Sequence, residues 1–310
     1  MHFDVYIAFA GLIVGFAVGL TGMGGGALMT PILVLLFNIQ PLAAVSSDLV
    51  ASLVMKPVGA AVHAGRGTVQ WPLVRWLATG SVPAAFLGVL FLRLIGHGKM
   101  LQNIVGVALG AVLLLAVAAL VTKTLIDRRR ERRSATSAGG GDATRVRRAP
   151  TLAIGATVGF IVGITSVGSG TLVIVLLLFL YPRLRGSQTV GTDLAQAIPM
   201  VGAASIAHLL LGDFRLGLTL SIIAGSIPGV LTGSLVSSRA PTGPIRVALS
   251  VVLVVSGLKL VNVPTVGIGI VLLAAAVGLS SMLVLSRRIP RLPLGKARAG
   301  APAALTVKRS

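Results

Sequence analysis

The chain has 310 residues, 55% of them apolar and 11% charged, with a mean hydropathy of +0.97. Average soluble domains carry roughly a quarter charged residues, so this composition excludes an ordinary soluble fold. The net charge of +20 suggests nucleic acid at first, but 16 of the 27 cations sit in two tracts, nine in 122–150 and seven from Arg287 onward. Neither tract interleaves aromatics with its cations, so no nucleic-acid partner is expected.

A bilayer-spanning helix needs about 20 apolar residues. In chain order, an apolar run at 5–38 comes first, too long for one span and broken at Gly22-Met23-Gly24-Gly25-Gly26. Single spans are predicted at 43–63, 71–94 and 101–121. The hydrophilic segment 122–150 follows, charged and then Ser/Gly-rich, and reads as a mobile linker. A second overlong run, 151–181, is broken at Gly168-Ser169-Gly170. Spans at 187–211, 215–237, 244–261 and 264–286 precede the basic tail. Glycine is costly inside a helix and exposes backbone, which in lipid must line a cavity or be buried in protein. Each overlong run is therefore read as two short helices joined at the glycines, as a re-entrant hairpin or a broken helix. With no cysteines, disulfides, Cys-zinc sites and thiol catalysis are excluded. Met1-His2-Phe3-Asp4 has no basic n-region, so no cleaved signal peptide is expected.

The two halves resemble each other at an offset of 144 to 145 residues. Gly15 to Thr21 (GFAVGLT) matches Gly159 to Thr165 (GFIVGIT), and Gly24 and Gly26 match Gly168 and Gly170. After a one-residue insertion, Ser47-Asp48-Leu49 matches Thr192-Asp193-Leu194, and His63 matches His208. Gly80-Ser81, Pro83 and Gly88 match Gly225-Ser226, Pro228 and Gly233. These identities fall on glycine, proline, aspartate and histidine, so chance likeness of two greasy sequences is a poor explanation. Secondary transporters are commonly built from such repeats, with substrate held between them.

Charge orients the halves. With both broken runs as hairpins and the linker in the cytoplasm, loops 64–70, 181–189 and 238–246 and the tail are cytoplasmic too, which with Arg75 just inside its helix places 22 cations inside. Only Arg93, Lys99 and Arg215 fall outside, as the positive-inside rule requires. Each repeat then has an odd number of crossings, so the repeats are inverted. The expected architecture is an all-α polytopic membrane protein: a first repeat (1–121), a basic linker (122–150), a second repeat (151–261), an extra helix (262–286) and a cytoplasmic tail (287–310).

Few ionisable groups lie inside the spans: Asp48, Lys56, His63, Asp193, His208 and, near a helix end, Lys259. A charge in lipid costs about 2.5–3.5 kcal/mol on insertion scales, so function is the default reading. Asp48 and His63 are 15 residues apart, as are Asp193 and His208. That is ~22 Å along one helix, so neither pair can touch, and they suit proton gating at opposite faces. The plainer alternative is that the aspartates cap helix ends and the histidines sit at loop junctions. Lys56 has Val201 as its counterpart, and either pairs with an anionic substrate or neutralises an aspartate. The glycine breaks are the more specific feature. A helix N-terminus after a glycine turn offers free N–H groups and a positive dipole end to an anion. Gly24, Gly25 and Gly26, with Thr21, and Gly168, Ser169 and Gly170, with Thr165, are the candidate substrate site, joined by Lys56; close helix packing is the competing role for the glycines. Asp48, His63, Asp193 and His208 are candidates for coupling or gating. No HExxH, GxSxG or P-loop pattern is present, and neither an enzyme nor a cofactor or metal is expected. Trp71, Trp76, Tyr6 and Tyr181 fit interfacial anchoring.

The pattern from Gly22 through Gly26 to Pro31, with Gly80-Ser81 and Pro83, resembles the TauE/SafE family of membrane exporters. Gly191-Thr192-Asp193-Leu194-Ala195, His208, Gly212-Asp213 and Gly225 to Gly229 resemble its C-terminal repeat, and the likeness covers roughly 5–261. It departs at Ser46-Ser47-Asp48 and at Lys56-Pro57. The resemblance implies a membrane exporter of sulfite or a small organosulfonate; together with the span and charge pattern, the expected protein is a multi-pass inner-membrane exporter, with the lipid bilayer, a small anion and, through the aspartates and histidines, protons as partners. The rival readings are a cation carrier using Asp48 and Asp193, and a membrane-embedded enzyme or receptor component.

Overall fold

A computed structural model describes residues 4–21, 25–65, 67–96, 98–134, 146–182, 184, 186–211, 214–236 and 242–271. All regular structure among them is helical: α1 (Val5–Thr21), α2 (Gly26–Leu35), α3 (Pro41–Gly65), α4 (Trp71–Ile95), α5 (Lys99–Ser134), α6 (Arg148–Thr165), α7 (Thr171–Leu180), α8 (Gly186–Leu211), α9 (Leu216–Val236) and α10 (Thr242–Leu260). Both overlong runs are broken at their glycines, as expected. Of the described residues, the helical stretches Trp71–Ile95, Lys99–Ile126, Arg148–Thr165, Gly186–Leu211 and Leu216–Val236 are long and apolar enough to cross a bilayer. The compact unit ends at Ile268; of 269–310, only 269–271 are described, and they are helical. The span predicted at 264–286 thus lies mostly outside the described residues. Helix α5 continues well past the predicted end at 121, through the charged start of the segment read as linker.

Helix ends follow local chemistry. Asp4 caps α1, its Oδ1 accepting the backbone N–H of Tyr6 (2.8 Å) and of Ile7 (3.3 Å). The α6–α7 connection turns through Ser166 (φ 60°), Gly168 (φ 120°) and Gly170 (φ 115°), a left-handed path that glycine adopts at little cost. At the open end of that pair, the Tyr181 hydroxyl lies 2.6 Å from Thr151 Oγ1 and accepts the Arg147 N–H at 2.9 Å. The end of α7 is thereby tied to the start of α6, which makes the pair a hairpin. Tyr181 is buried, so it is a hairpin clasp and not the interfacial anchor its residue type suggested.

Equivalent helices of the two halves pack reciprocally. Helix α1 lies along α9 and α6 along α4, and these are the two most extensive helix contacts. Glycines spaced by four make both contacts close. A Cβ on Gly11, Gly15 or Gly19 would meet the backbone at Ile222, Ser226 or Val230. A Cβ on Gly155, Gly159 or Gly163 would meet Leu77, Ser81 or Ala85. The second set is the repeat image of the first. Small residues at this spacing let helix backbones approach in lipid, where no hydrophobic force joins them. In each contact residue numbers rise together, so the helices run parallel. The central pair α3 and α8 is antiparallel: Ser46 meets His208, and further along Leu53 meets Gly202. Two apolar clusters flank this pair. One centres on α4, α6, α7 and α8, the other on α1, α2, α9 and α10, and α3 and α5 contribute to both.

Candidate functional site

The two glycine breaks meet. Gly26, the first residue of α2, lies against the α6–α7 turn so tightly that a Cβ there would collide with the Ser166 carbonyl and lie 2.9 Å from Asp48 Oδ2. Ser166 donates its hydroxyl to the same Oδ2, and Thr30 Oγ1 donates to it at 3.2 Å. Asp48 is fully buried, and its other oxygen, Oδ1, has no hydrogen-bond partner among the described residues. Leaving a buried acceptor unsatisfied costs about 1–3 kcal/mol, more if charged, so native structures seldom do so without a function.

Asp193 repeats the arrangement. It accepts from the backbone N–H of Gly170, the residue that caps α7, and from Gln196 Nε2 at 3.4 Å. Both aspartates lie about two turns inside their own helices, α3 and α8, so neither caps the helix that carries it. Each instead lies at the start of its repeat's short helix, α2 or α7. Lys56 stands between them. Its Nζ donates to Ser169 Oγ at 2.5 Å, and its charge acts on both Asp48 and Asp193. Gln196 connects onward to α4 by accepting from Ser81 Oγ at 3.3 Å.

The other candidate residues are placed as follows. Gly25 caps α2, with Met55 and Ser52 next to it. Gly168, Ser169 and Gly170 form the turn, with Ser169 buried. Thr165 Oγ1 engages backbone at Ile161 and Val167, so it braces the turn. Gly24 and the side chains of Thr21 and His63 lie outside the described residues. His208 stands apart from the crossing. It is fully buried, with Nδ1 2.9 Å from Ser46 Oγ and Nε2 2.9 Å from the Gly163 carbonyl, so it joins α8, α3 and α6. One face of it borders a cavity of about 150 Å³ lined by Arg93, Gln102 and the ends of α3, α4, α5 and α8. Sequence reasoning missed Ser166, Thr30 and Gln196. Only Ser166 carried a signal, since it sits inside the glycine turn.

The chain matches the family model described as "Sulfite exporter TauE/SafE" over residues 7–260. It is 39% identical over 260 residues to the "Probable membrane transporter protein YjnA" of Bacillus subtilis (strain 168), covering 83% of this chain and 100% of that protein. It is also 38% identical over 85 residues to the "Probable membrane transporter protein YunE" of the same organism, covering 27% of this chain and 29% of that protein. No solved structure matches at a significant level.

Proposed function

The chain belongs to the sulfite exporter TauE/SafE family, a family of multi-pass membrane transporters, and from that premise we propose that it is a secondary transporter that exports a small anion, sulfite or an organosulfonate, by alternating access. The observation that carries this reading is the meeting of the two glycine breaks at a buried polar cluster between the halves. Two repeats lie inverted across the inner membrane, with linker and tail in the cytoplasm. The parallel packing of α1 with α9 and of α4 with α6, and the antiparallel α3–α8 pair, support that inversion. In this topology the broken hairpins enter from opposite faces and meet near the midplane, as discontinuous helices do in such transporters. Rocking of one repeat against the other opens the crossing to each side in turn, with Asp48 and Asp193 as the coupling groups. No step needs an enzyme's nucleophile or a cofactor.

Transport of sulfite and of sulfoacetate into or out of proteoliposomes tests this. Gly25→Leu and Ser169→Leu place bulk at equivalent points of the two turns and should each abolish transport while the protein stays folded in detergent. Normal transport in both variants removes the crossing as the substrate site.

A cation carrier is the second reading, because the cluster holds two carboxylates and one ammonium. Converting both Asp48 and Asp193 to Asn separates the two: a cation carrier loses binding, an anion carrier keeps it.

A further inference from the structure

A helix N-terminus with free amides is a seat for an anion. In this molecule a carboxylate stands at both such helix starts. Asp193 accepts the Gly170 amide at the start of α7, and Asp48 Oδ2 lies against the first turn of α2, next to Gly26. Neither short helix has a side-chain cap of its own in front of it; a carboxylate two turns into the neighbouring helix stands there, on the Gly170 amide at α7 and beside Gly26 at α2. We propose that the two aspartates are built-in stand-ins for the substrate, and that a transported anion takes the α2 seat only when Asp48 leaves it carrying a proton. This rests on the anion-exporter reading and specifies how its coupling works.

The asymmetry of the cluster selects Asp48 as the residue that leaves. Its oxygen Oδ2 is held by two hydroxyls, from Ser166 and Thr30, and hydroxyls rotate freely to new acceptors. Its oxygen Oδ1 is buried without a partner among the described residues. A proton placed on Oδ1 turns that orphan acceptor into a donor. The neutral acid can then give this hydrogen to an anion in the seat, where an ionised carboxylate would repel it. Asp193 is held by a backbone amide, which cannot turn away. The charges that face Asp48 agree with this. Among the described residues the charge acting on Asp48 is Lys56 on its own helix, which also acts on Asp193 of α8 together with Lys123 of α5. Helices α2 and α9 contribute no ionisable group. His208 on α8 is engaged by Ser46 and the Gly163 carbonyl. With both carboxylates ionised the cluster carries a formal charge of −1, so an incoming anion needs a proton to accompany it.

In the cycle, water at the open face supplies the proton to Asp48 as the anion enters. The proton returns to water at the other face as the anion leaves and Asp48 resumes the seat. Anion and proton therefore move in the same direction, one proton for each anion.

Calorimetry of sulfoacetate binding to the purified protein tests this between pH 5.5 and 8.5, where the carboxylate and sulfonate of the probe both stay ionised. The expected result is uptake of one proton per ligand, read from the dependence of the heat on buffer ionisation enthalpy. Affinity should fall toward about tenfold per pH unit on the alkaline side. Asp48→Asn should bind with no proton uptake and no pH dependence, and more tightly than wild type at pH 8.5. Ser166→Ala keeps the carboxyl group, removes a donor that seats it, and should tighten binding with proton uptake intact; it carries the test if the Asn variant does not fold. Binding without proton uptake in wild type, or folded Asp48→Asn that no longer binds, overturns the proposal and leaves the anion reading standing. Absence of binding by sulfoacetate and sulfite in wild type and both variants at every pH overturns the anion reading itself, and this proposal with it.

Discussion

Asp48 and Asp193 occupy the same register of equivalent helices, yet they are held differently. Asp48 rests on two hydroxyls and leaves one oxygen bare. Asp193 rests on a backbone amide and a side-chain amide, and Lys56 is its leading partner charge. Three replacements between the halves account for much of the contrast: Thr30 stands where the second half has Ile174, Gln196 where the first has Ala51, and Lys56 where the second has Val201. Duplication gives two matching carboxylates. Divergence of their neighbours leaves one fixed and the other releasable.

The largest expected effect comes from the lysine that the two carboxylates share. Lys56→Met removes the cation that acts on both and should cost about 3–5 kcal/mol, the range for leaving a buried charge uncompensated. Its unfolding temperature in detergent should drop steeply. The comparison is sharpened by rescue. If Lys56 chiefly serves Asp193, Lys56→Met with Asp193→Asn should recover more stability than Lys56→Met with Asp48→Asn. Equal rescue would mean that the lysine does not distinguish the repeats. Next in size is the pair of single variants. Asp193→Asn disturbs the Gly170 amide and Lys56 together, whereas Asp48→Asn can keep its two hydroxyl contacts. The first should be the less stable of the two, by on the order of 1 kcal/mol. The reverse order would remove the distinction between a fixed and a releasable carboxylate.

Much of this was legible before any coordinates. Spans predicted at 43–63, 71–94, 187–211 and 215–237 became α3, α4, α8 and α9 with ends within two residues, because apolar length in lipid leaves the backbone little alternative to a helix. Both breaks fell at their glycines, where a helix is costly and freed backbone can be buried in protein. The end of α5 was not legible: its last turns are arginine-rich, and hydropathy sees only where lipid stops, not where a helix stops. The site was legible in its charged members but not in its wiring. Asp48, Lys56 and Asp193 stand out as costly residues, whereas the contacts of Ser166 with Asp48 and Ser169 with Lys56 join positions 118 and 113 residues apart. A serine in a membrane helix or turn is too common to signal such a partner. The repeat supplied symmetry and therefore predicted like surroundings for the two aspartates; Thr30 and Gln196, which break it, align with apolar Ile174 and Ala51 and so leave no repeat signature.

The smallest effect bears on the residues just before the aspartates. Thr192 precedes Asp193, and its Oγ1 accepts the backbone N–H of Gln70 at 3.0 Å, joining α8 to the start of α4. Ser47 precedes Asp48, is equally buried, and its hydroxyl has no partner among the described residues. Thr192→Val should therefore cost about 1 kcal/mol, since it orphans a backbone N–H. Ser47→Ala should be neutral or slightly stabilising, because it removes a polar group that gains nothing from burial. Thermal unfolding of both variants, without substrate and then with saturating sulfoacetate, decides what Ser47 is for. If its hydroxyl idles in every state, Ser47→Ala will match wild type under both conditions. If Ser47→Ala matches wild type alone but is stabilised less by the anion, the hydroxyl finds its partner only when Asp48 has moved. The bare oxygens of Ser47 and Asp48 then belong to one surface, arranged for a state in which the seat on α2 has changed its occupant.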